Sequence, residues 1–409
     1  MYDILPDRIG LWHHLEENAR SLFHRFGYCE IRTPLVEETQ LFSRGIGEFT
    51  DIVTKEMYTF QDRKGRSLTL RPEGTASVVR AYVEHKLYAQ RAVSKFYYIG
   101  PMFRYERPQA GRNRQFFQIG AEAFGAASPL LDFEMIDLAQ SFFVKLGFQQ
   151  LELSLNSLGC SKDRPAYAGA LRSYFGDKIK MLCPDCAQRL EKNPLRVLDC
   201  KVESCKALAA AAPTMQEQLC EECRKHLSTL CSLLDRAGIK YRIDSRLVRG
   251  LDYYTRTVFE FQHPALLARS AICGGGRYDN LVEEIGGPPT PATGFSVGVE
   301  ATLVALEKED LAVPSEGMPE AFICSVGEDA LRESALLAAR LRQAGIRVEL
   351  EYEGRSLKAQ MKLADRLGVR FAIILGEEEL ARGSARMREM ATGEESVVAL
   401  RRIPARLAR

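Results

Sequence analysis

A chain of 409 residues is long enough for two or three domains with cores of their own. Its 46% hydrophobic and 27% charged residues are the balance of an ordinary soluble protein. A formal net charge of only +2 excludes global basicity as the means of holding nucleic acid, so any RNA contact must rest on local patches.

The N-terminus, MYDILPDRIGLWHHLEEN, carries acidic residues throughout and no long apolar stretch, unlike a signal or transit peptide. No apolar run approaches the length of a membrane span, so the expectation is a cytoplasmic protein without membrane contact. Ile9, Leu11, Leu15, Ala19, Leu22 and Phe23 recur at helical spacing and predict an amphipathic helix over 7–27. YCEIRTPLVE follows as a strand, with Pro34 at an edge or bulge. Further strands are predicted at 56–61, 67–71, 95–104, 114–124, 150–155, 241–245, 255–262 and 293–299. Helices are predicted at 75–86, 130–146, 163–175, 214–236 and 298–307. Many strands separated by helices, without a βαβ rhythm, indicate an α+β fold on an antiparallel sheet.

The expected domain plan is a catalytic core in two parts, 1–159 and 237–308, interrupted at 160–236 by a helical, cysteine-rich insertion. A charged, proline-bearing linker follows at 309–318. The remainder, 319–409, alternates strand and helix as a small parallel α/β domain.

Four segments carry chemistry. In RLVRGLDYYTRTVFE, 246–260, Arg249 precedes Gly250, where the backbone can turn sharply beside a ligand. Tyr253 and Tyr254 offer flat walls with polar tips, suited to a small ring. In FRYERPQAGRNRQFFQIGAEAFG, 103–125, Arg104, Arg107, Arg112 and Arg114 surround a hairpin, and guanidinium forks match phosphate oxygens. Gln118 and Glu122 share one face of the returning strand at even spacing. In LRPEGTASVVRA, 70–81, Glu73 is a carboxylate at a strand exit, and Thr75 is expected to cap the following helix. The glycines of ICGGGRYDN would let backbone pass close to a ligand, but neither a dinucleotide nor a Walker context surrounds them.

Of the 11 cysteines, Cys29, Cys160, Cys231, Cys273 and Cys324 are scattered and read as small hydrophobes. The other six crowd together. Cys183–Cys186 and Cys220–Cys223 are two CxxC pairs whose spacing suits one tetrahedral zinc, with Cys200 and Cys205 as competing ligands. Reduced thiols packed in a helical insertion, and redox chemistry, stand as alternatives. The six histidines form no pair at metal-ligand or hydrolase-triad spacing.

These segments, in this order, resemble the signatures of the histidyl-tRNA synthetases, class II aminoacyl-tRNA synthetases of bacterial type. Residues 246–260 resemble the histidine-binding signature, 103–125 motif 2, 272–287 the second histidine signature and 291–306 motif 3. The resemblance implies ATP and Mg²⁺ as reactants, with tRNA(His) and L-histidine as partners. It also implies a homodimer with the Pro34 strand at the interface, and an anticodon-binding C-terminal domain. It casts Arg104 and Arg249 as catalytic, and Arg104, Glu106, Arg112 and Arg249 as ATP-binding. Glu73, Thr75, Gln118, Glu122, Tyr253 and Tyr254 are cast as histidine-binding. One residue departs from the pattern: Ala301 follows Glu300 where the family has an arginine that helps hold ATP. That departure suits the alternative, a histidine-sensing regulatory subunit of ATP phosphoribosyltransferase that charges no tRNA.

Overall fold

The structure is a computed structural model that describes residues 2–48, 50–106, 113–264, 266, 271–311 and 318–407. The chain divides into two compact units, Met1–Val313 and Pro314–Arg409.

An eight-stranded sheet organises the first unit. Across it run Cys29–Glu30, Ser94–Phe103, Gln115–Phe124, Ala292–Gly298, Ala271–Arg277, Thr255–Gln262, Glu152–Ser157 and Arg242–Ile243. The inner pairings are antiparallel, and only the two-residue strands at the edges join in parallel. The α+β expectation therefore holds, with parallel additions at both edges.

The alternation of strand side chains decides which face does what. Ile119, Ala121, Phe259, Phe261, Phe295 and Val297 enter a core beneath the helices Pro6–Arg25, Pro129–Lys145, Glu221–Ala237 and Val299–Lys308. Gln118, Glu260, Gly274, Gly294 and Ser296 alternate with them and line a cleft on the opposite side. Fully burying an aliphatic or aromatic core side chain is worth roughly 1.5–3 kcal/mol. A one-residue slip of any inner strand would thus forfeit core burial and the cleft together.

Several local expectations fail for identifiable reasons. YCEIRTPLVE is not one strand: Cys29–Glu30 joins the large sheet, while Val36–Glu38 joins a separate three-stranded sheet with Ser67–Leu70 and Tyr58–Gln61. Pro34, lacking an N–H, falls in the break. The glycine-rich segment, not predicted as a strand, is the central strand Ala271–Arg277. The predicted 214–236 helix starts late, because Leu219 is extended and Cys220 is the N-cap of Glu221–Ala237.

The second unit has a five-stranded sheet ordered Val348–Leu350, Ala321–Ser325, Phe371–Leu375, Ser384–Glu389 and Glu395–Ala399. AFICS and FAIIL are buried along their whole length, as parallel strands covered on both faces must be. The sheet is not wholly parallel as expected, since Ser384–Glu389 and Glu395–Ala399 add an antiparallel hairpin.

Candidate active site

The cleft of the first unit encloses about 580 Å³, enough for a small molecule with a nucleotide. Glu73, Thr75, Arg104, Glu106, Gln118, Arg249, Tyr253 and Tyr254 all line it, though they come from segments far apart in the chain. Arg112 lies outside the described residues.

Glu73, 3% exposed, sits where a strand exit meets a helix. Its carboxylate accepts from the backbone N–H groups of Thr75 at 2.6 Å and Ala76 at 2.9 Å. The acid, not Thr75, therefore caps the helix Thr75–Glu84, whose N-cap is Gly74. Burial raises the Glu73 pKa above the usual carboxylate range, opposed by those amides and by the charge of Arg104. Thr75 is turned inward instead, its hydroxyl donating to Glu122 Oε1 at 2.7 Å.

Glu122, 1% exposed, lies behind the cleft surface and meets it through Thr75. The hydroxyls of Tyr278 and Tyr98 also donate to its carboxylate. Burial pushes its pKa up to about 8, and the neighbouring Glu73 charge pushes the same way. Gly294 packs against this carboxylate so closely that a Cβ there would lie 1.8 Å from Oε2. Gln118 donates to Ser296 Oγ at 3.3 Å, while its buried Oε1 has no partner among the described residues.

The cationic side is formed by Arg104 and Arg249. Arg104 donates through Nε to Pro72 O at 2.8 Å and approaches Glu106 at 3.7 Å. Its guanidinium lies 5.4 Å from the Phe116 ring centre. Arg249 pairs with Glu260 and stands 5.9 Å from the Tyr254 ring centre, and its buried Nε has no acceptor among the described residues.

Two glycines of the cleft lining differ in what surrounds them. At Gly250 a Cβ would meet no protein atom within 4 Å and φ is not positive, so the fold itself does not demand glycine there. At Gly274 a Cβ would lie 2.4–2.5 Å from the Arg249 guanidinium. Gly274, itself on the cleft lining, thus clears a lane for the Arg249 guanidinium. Sequence reasoning missed Glu260 and Ser296, although both fall on the even-spaced cleft side of predicted strands.

Ala301 lines the cleft as well. The preceding Glu300 accepts from the Phe117 N–H at 3.0 Å and 3.2 Å, tying the helix Val299–Lys308 to the strand Gln115–Phe124. Burial pushes its pKa up to about 7.

The four cysteines predicted to share one zinc do not meet. Cys183 and Cys186 group with Cys200 and Cys205, whereas Cys220 and Cys223 group with Cys160 and Asp163. Cys160 is thus no scattered hydrophobe. Sequence proximity suggested the pairing of CxxC motifs, but intervening helices send each pair to a different partner.

Residues 1–302 match the family model described as histidyl-tRNA synthetase, and 320–409 match that of an anticodon binding domain. The histidine–tRNA ligase of Desulforamulus reducens is 51% identical over 401 residues, covering 98% of this chain and 96% of that protein. The histidine–tRNA ligase of Anaeromyxobacter sp. (strain K) is 51% identical over 407 residues, covering 100% and 98%. The crystal structure of apo histidyl-tRNA synthetase from S. aureus superposes with a TM-score of 0.85 at 37% identity, covering 100% of this chain and 98% of that one. A chain from Bacillus halodurans described as an ATP phosphoribosyltransferase regulatory subunit/histidyl-tRNA synthetase shares the fold, with a TM-score of 0.66 at 20% identity.

A polar cleft on an antiparallel sheet, followed by an anticodon-binding unit, defines the aminoacyl-tRNA synthetase class. Within that class the chain belongs to the histidyl-tRNA synthetase family.

Proposed function

We propose that this chain ligates L-histidine to tRNA(His) at the expense of ATP, as a cytoplasmic homodimer. The observation that carries the reading is the pairing, in one cleft, of two arginines with amino-acid-type donors and acceptors. In the first step a histidine carboxylate oxygen bonds to the α-phosphorus of ATP, and the bond from that phosphorus to the pyrophosphate oxygen breaks. Arg104 and Arg249 neutralise the charge gathering on the phosphoryl oxygens, a preorganised electrostatic contribution. In the second, a terminal ribose hydroxyl of the tRNA attacks the adenylate carbonyl, and AMP leaves.

Glu73 and Thr75 receive the α-ammonium, with Glu122 acting through Thr75. A buried ammonium needs such an anion once water is excluded. Gln118, Tyr253 and Tyr254 contact the rest of the amino acid. A pocket that hydrogen-bonds an imidazole leaves its polar groups unpaired with other side chains, which is how it would reject them. Mg²⁺ takes oxygen ligands, ordinarily one or two carboxylates together with substrate phosphates. Glu106 and Glu260 offer such oxygens at the cleft lining, and the ion would supply charge neutralisation on the phosphates.

Ala301, at the cleft lining, favours the regulatory-subunit reading as the competitor. Histidine-dependent exchange of pyrophosphate into ATP separates the two. Exchange by the chain as it stands is expected, and Ala301→Arg should lower the KM for ATP several-fold. Absence of exchange from both proteins would overturn the synthetase reading.

A further inference from the structure

We propose that the helical insertion is built around two zinc ions, one held by Cys183, Cys186, Cys200 and Cys205, the other by Cys160, Asp163, Cys220 and Cys223. In each group the four ligand atoms all lie within 4.8 Å of one another. Cys183 Sγ is 3.8 Å from Cys200 Sγ, and Cys160 Sγ is 4.0 Å from Cys220 Sγ. Thiolates bound tetrahedrally at ~2.3 Å from zinc stand about 3.8 Å apart. Sulfurs of a disulfide would be at ~2.05 Å, and none of the cysteines forms one among the described residues.

The local structure explains how each group assembles. Cys183 is the N-cap of the helix Pro184–Lys192, with Cys186 in its first turn. Cys220 and Cys223 hold the same positions on Glu221–Ala237. A thiolate at a helix N-terminus is favoured by the unpaired amides and the helix dipole. The second pair of each group also stands at a helix start, Cys200 and Cys205 about Glu203–Ala210, Cys160 and Asp163 about Asp163–Gly176.

Backbone amides already point at the ligand atoms. The Cys183 N–H donates to Cys205 Sγ at 3.2 Å and that of Val202 to Cys200 Sγ at 3.4 Å. Asp163 Oδ2 accepts from the Cys160 N–H at 3.1 Å and Oδ1 from the Cys220 N–H at 2.9 Å. Such contacts fix a carboxylate's orientation and leave each oxygen a further lone pair for a metal. Sulfur-rich sets of four select zinc over the hard cations.

The first ion would also brace the cleft. Leu198, Asp199 and Lys201, the neighbours of Cys200, line it. Arg196 of the same segment pairs with Asp252 at 2.7 Å, three residues beyond Arg249.

Zinc content of the full chain, purified without chelator, is the first measurement, and it requires no turnover. About two zinc ions per chain are expected, one in Cys200→Ser, one in Cys220→Ser and none in the double variant. Cobalt(II) titration of the wild-type chain covers the case in which a variant fails to fold. It should break at two equivalents, with tetrahedral thiolate spectra. Metal-free protein with no cobalt spectrum would overturn the proposal. So would a single ion lost in both single variants, the mark of one shared site. A single ion lost only in Cys200→Ser would overturn the second centre.

Discussion

The two faces of the large sheet treat buried polar groups in opposite ways. On the helix-covered side, the fully buried Arg277 donates to Asp132 and Asp279 and to the carbonyls of Ala126 and Ser128. Thr257 donates to Asp132 at 2.9 Å, and His226 Nε2 adjoins it. Burial works against the Asp132 carboxylate, yet Arg277 and then His226 outweigh it and hold its pKa below the usual range. On the cleft side, among the described residues, Glu122 accepts from three hydroxyls and no cation, and Gln118 Oε1 and Arg249 Nε find no partner. The first network is closed and has nothing left to give a ligand. The second retains capacity, and capacity in a concave site is what binding requires.

Opening the closed network should have the largest effect. Arg277→Met leaves the buried Asp132 carboxylate with only Thr257 and His226 among its described partners, and removing one partner of a buried pair costs about 3–5 kcal/mol. Urea unfolding should register that loss, and Arg277→Met with Asp132→Leu should regain most of it. A single variant as stable as the parent would show that the network does not hold the sheet to its helices.

The cleft side responds to geometry rather than stability. In Gly274→Ala the new methyl would lie 2.4–2.5 Å from the Arg249 guanidinium. The arginine is flexible enough to yield, so the fold should survive with an unfolding midpoint close to the parent. Displacing a group that positions substrate costs on the order of 10²-fold in rate. The pyrophosphate exchange rate should fall by that factor, and an unchanged rate would remove Arg249 from the chemistry.

Much of this arrangement could be read from single segments. Period-two alternation put Gln118 and Glu122 on one face, and the strand at 255–262 appeared where the pattern Thr257, Phe259, Phe261 placed it. What single segments could not convey was partner choice. Glycine run 274–276 looks like a loop because it has no side chains to pattern, and its strand exists because two neighbours pair with it and Arg249 needs the room. Thr75 looks like a cap by type, but the helix already begins at Thr75, whose N–H and that of Ala76 donate to the carboxylate of Glu73. The cysteines likewise show a motif but not which motif lies opposite, because that depends on how the insertion's helices turn.

The smallest effect is the most specific to the open side. Glu122 has a folded pKa near 8 against an ordinary 4.5, so the folded state favours its protonated form. Its contribution to stability is therefore complete below about pH 4.5 and lost as pH rises through 8, where charging the buried acid works against folding. Glu122→Gln should flatten that fall. A histidine ammonium bound at Thr75 and Glu73 would favour the carboxylate form of Glu122. Histidine binding at pH 7 should then release close to one proton, measured by calorimetry in two buffers of different ionisation enthalpy. Glu122→Gln should release almost none. Equal release from both proteins would place the proton elsewhere and leave Glu122 as inert as Asp132.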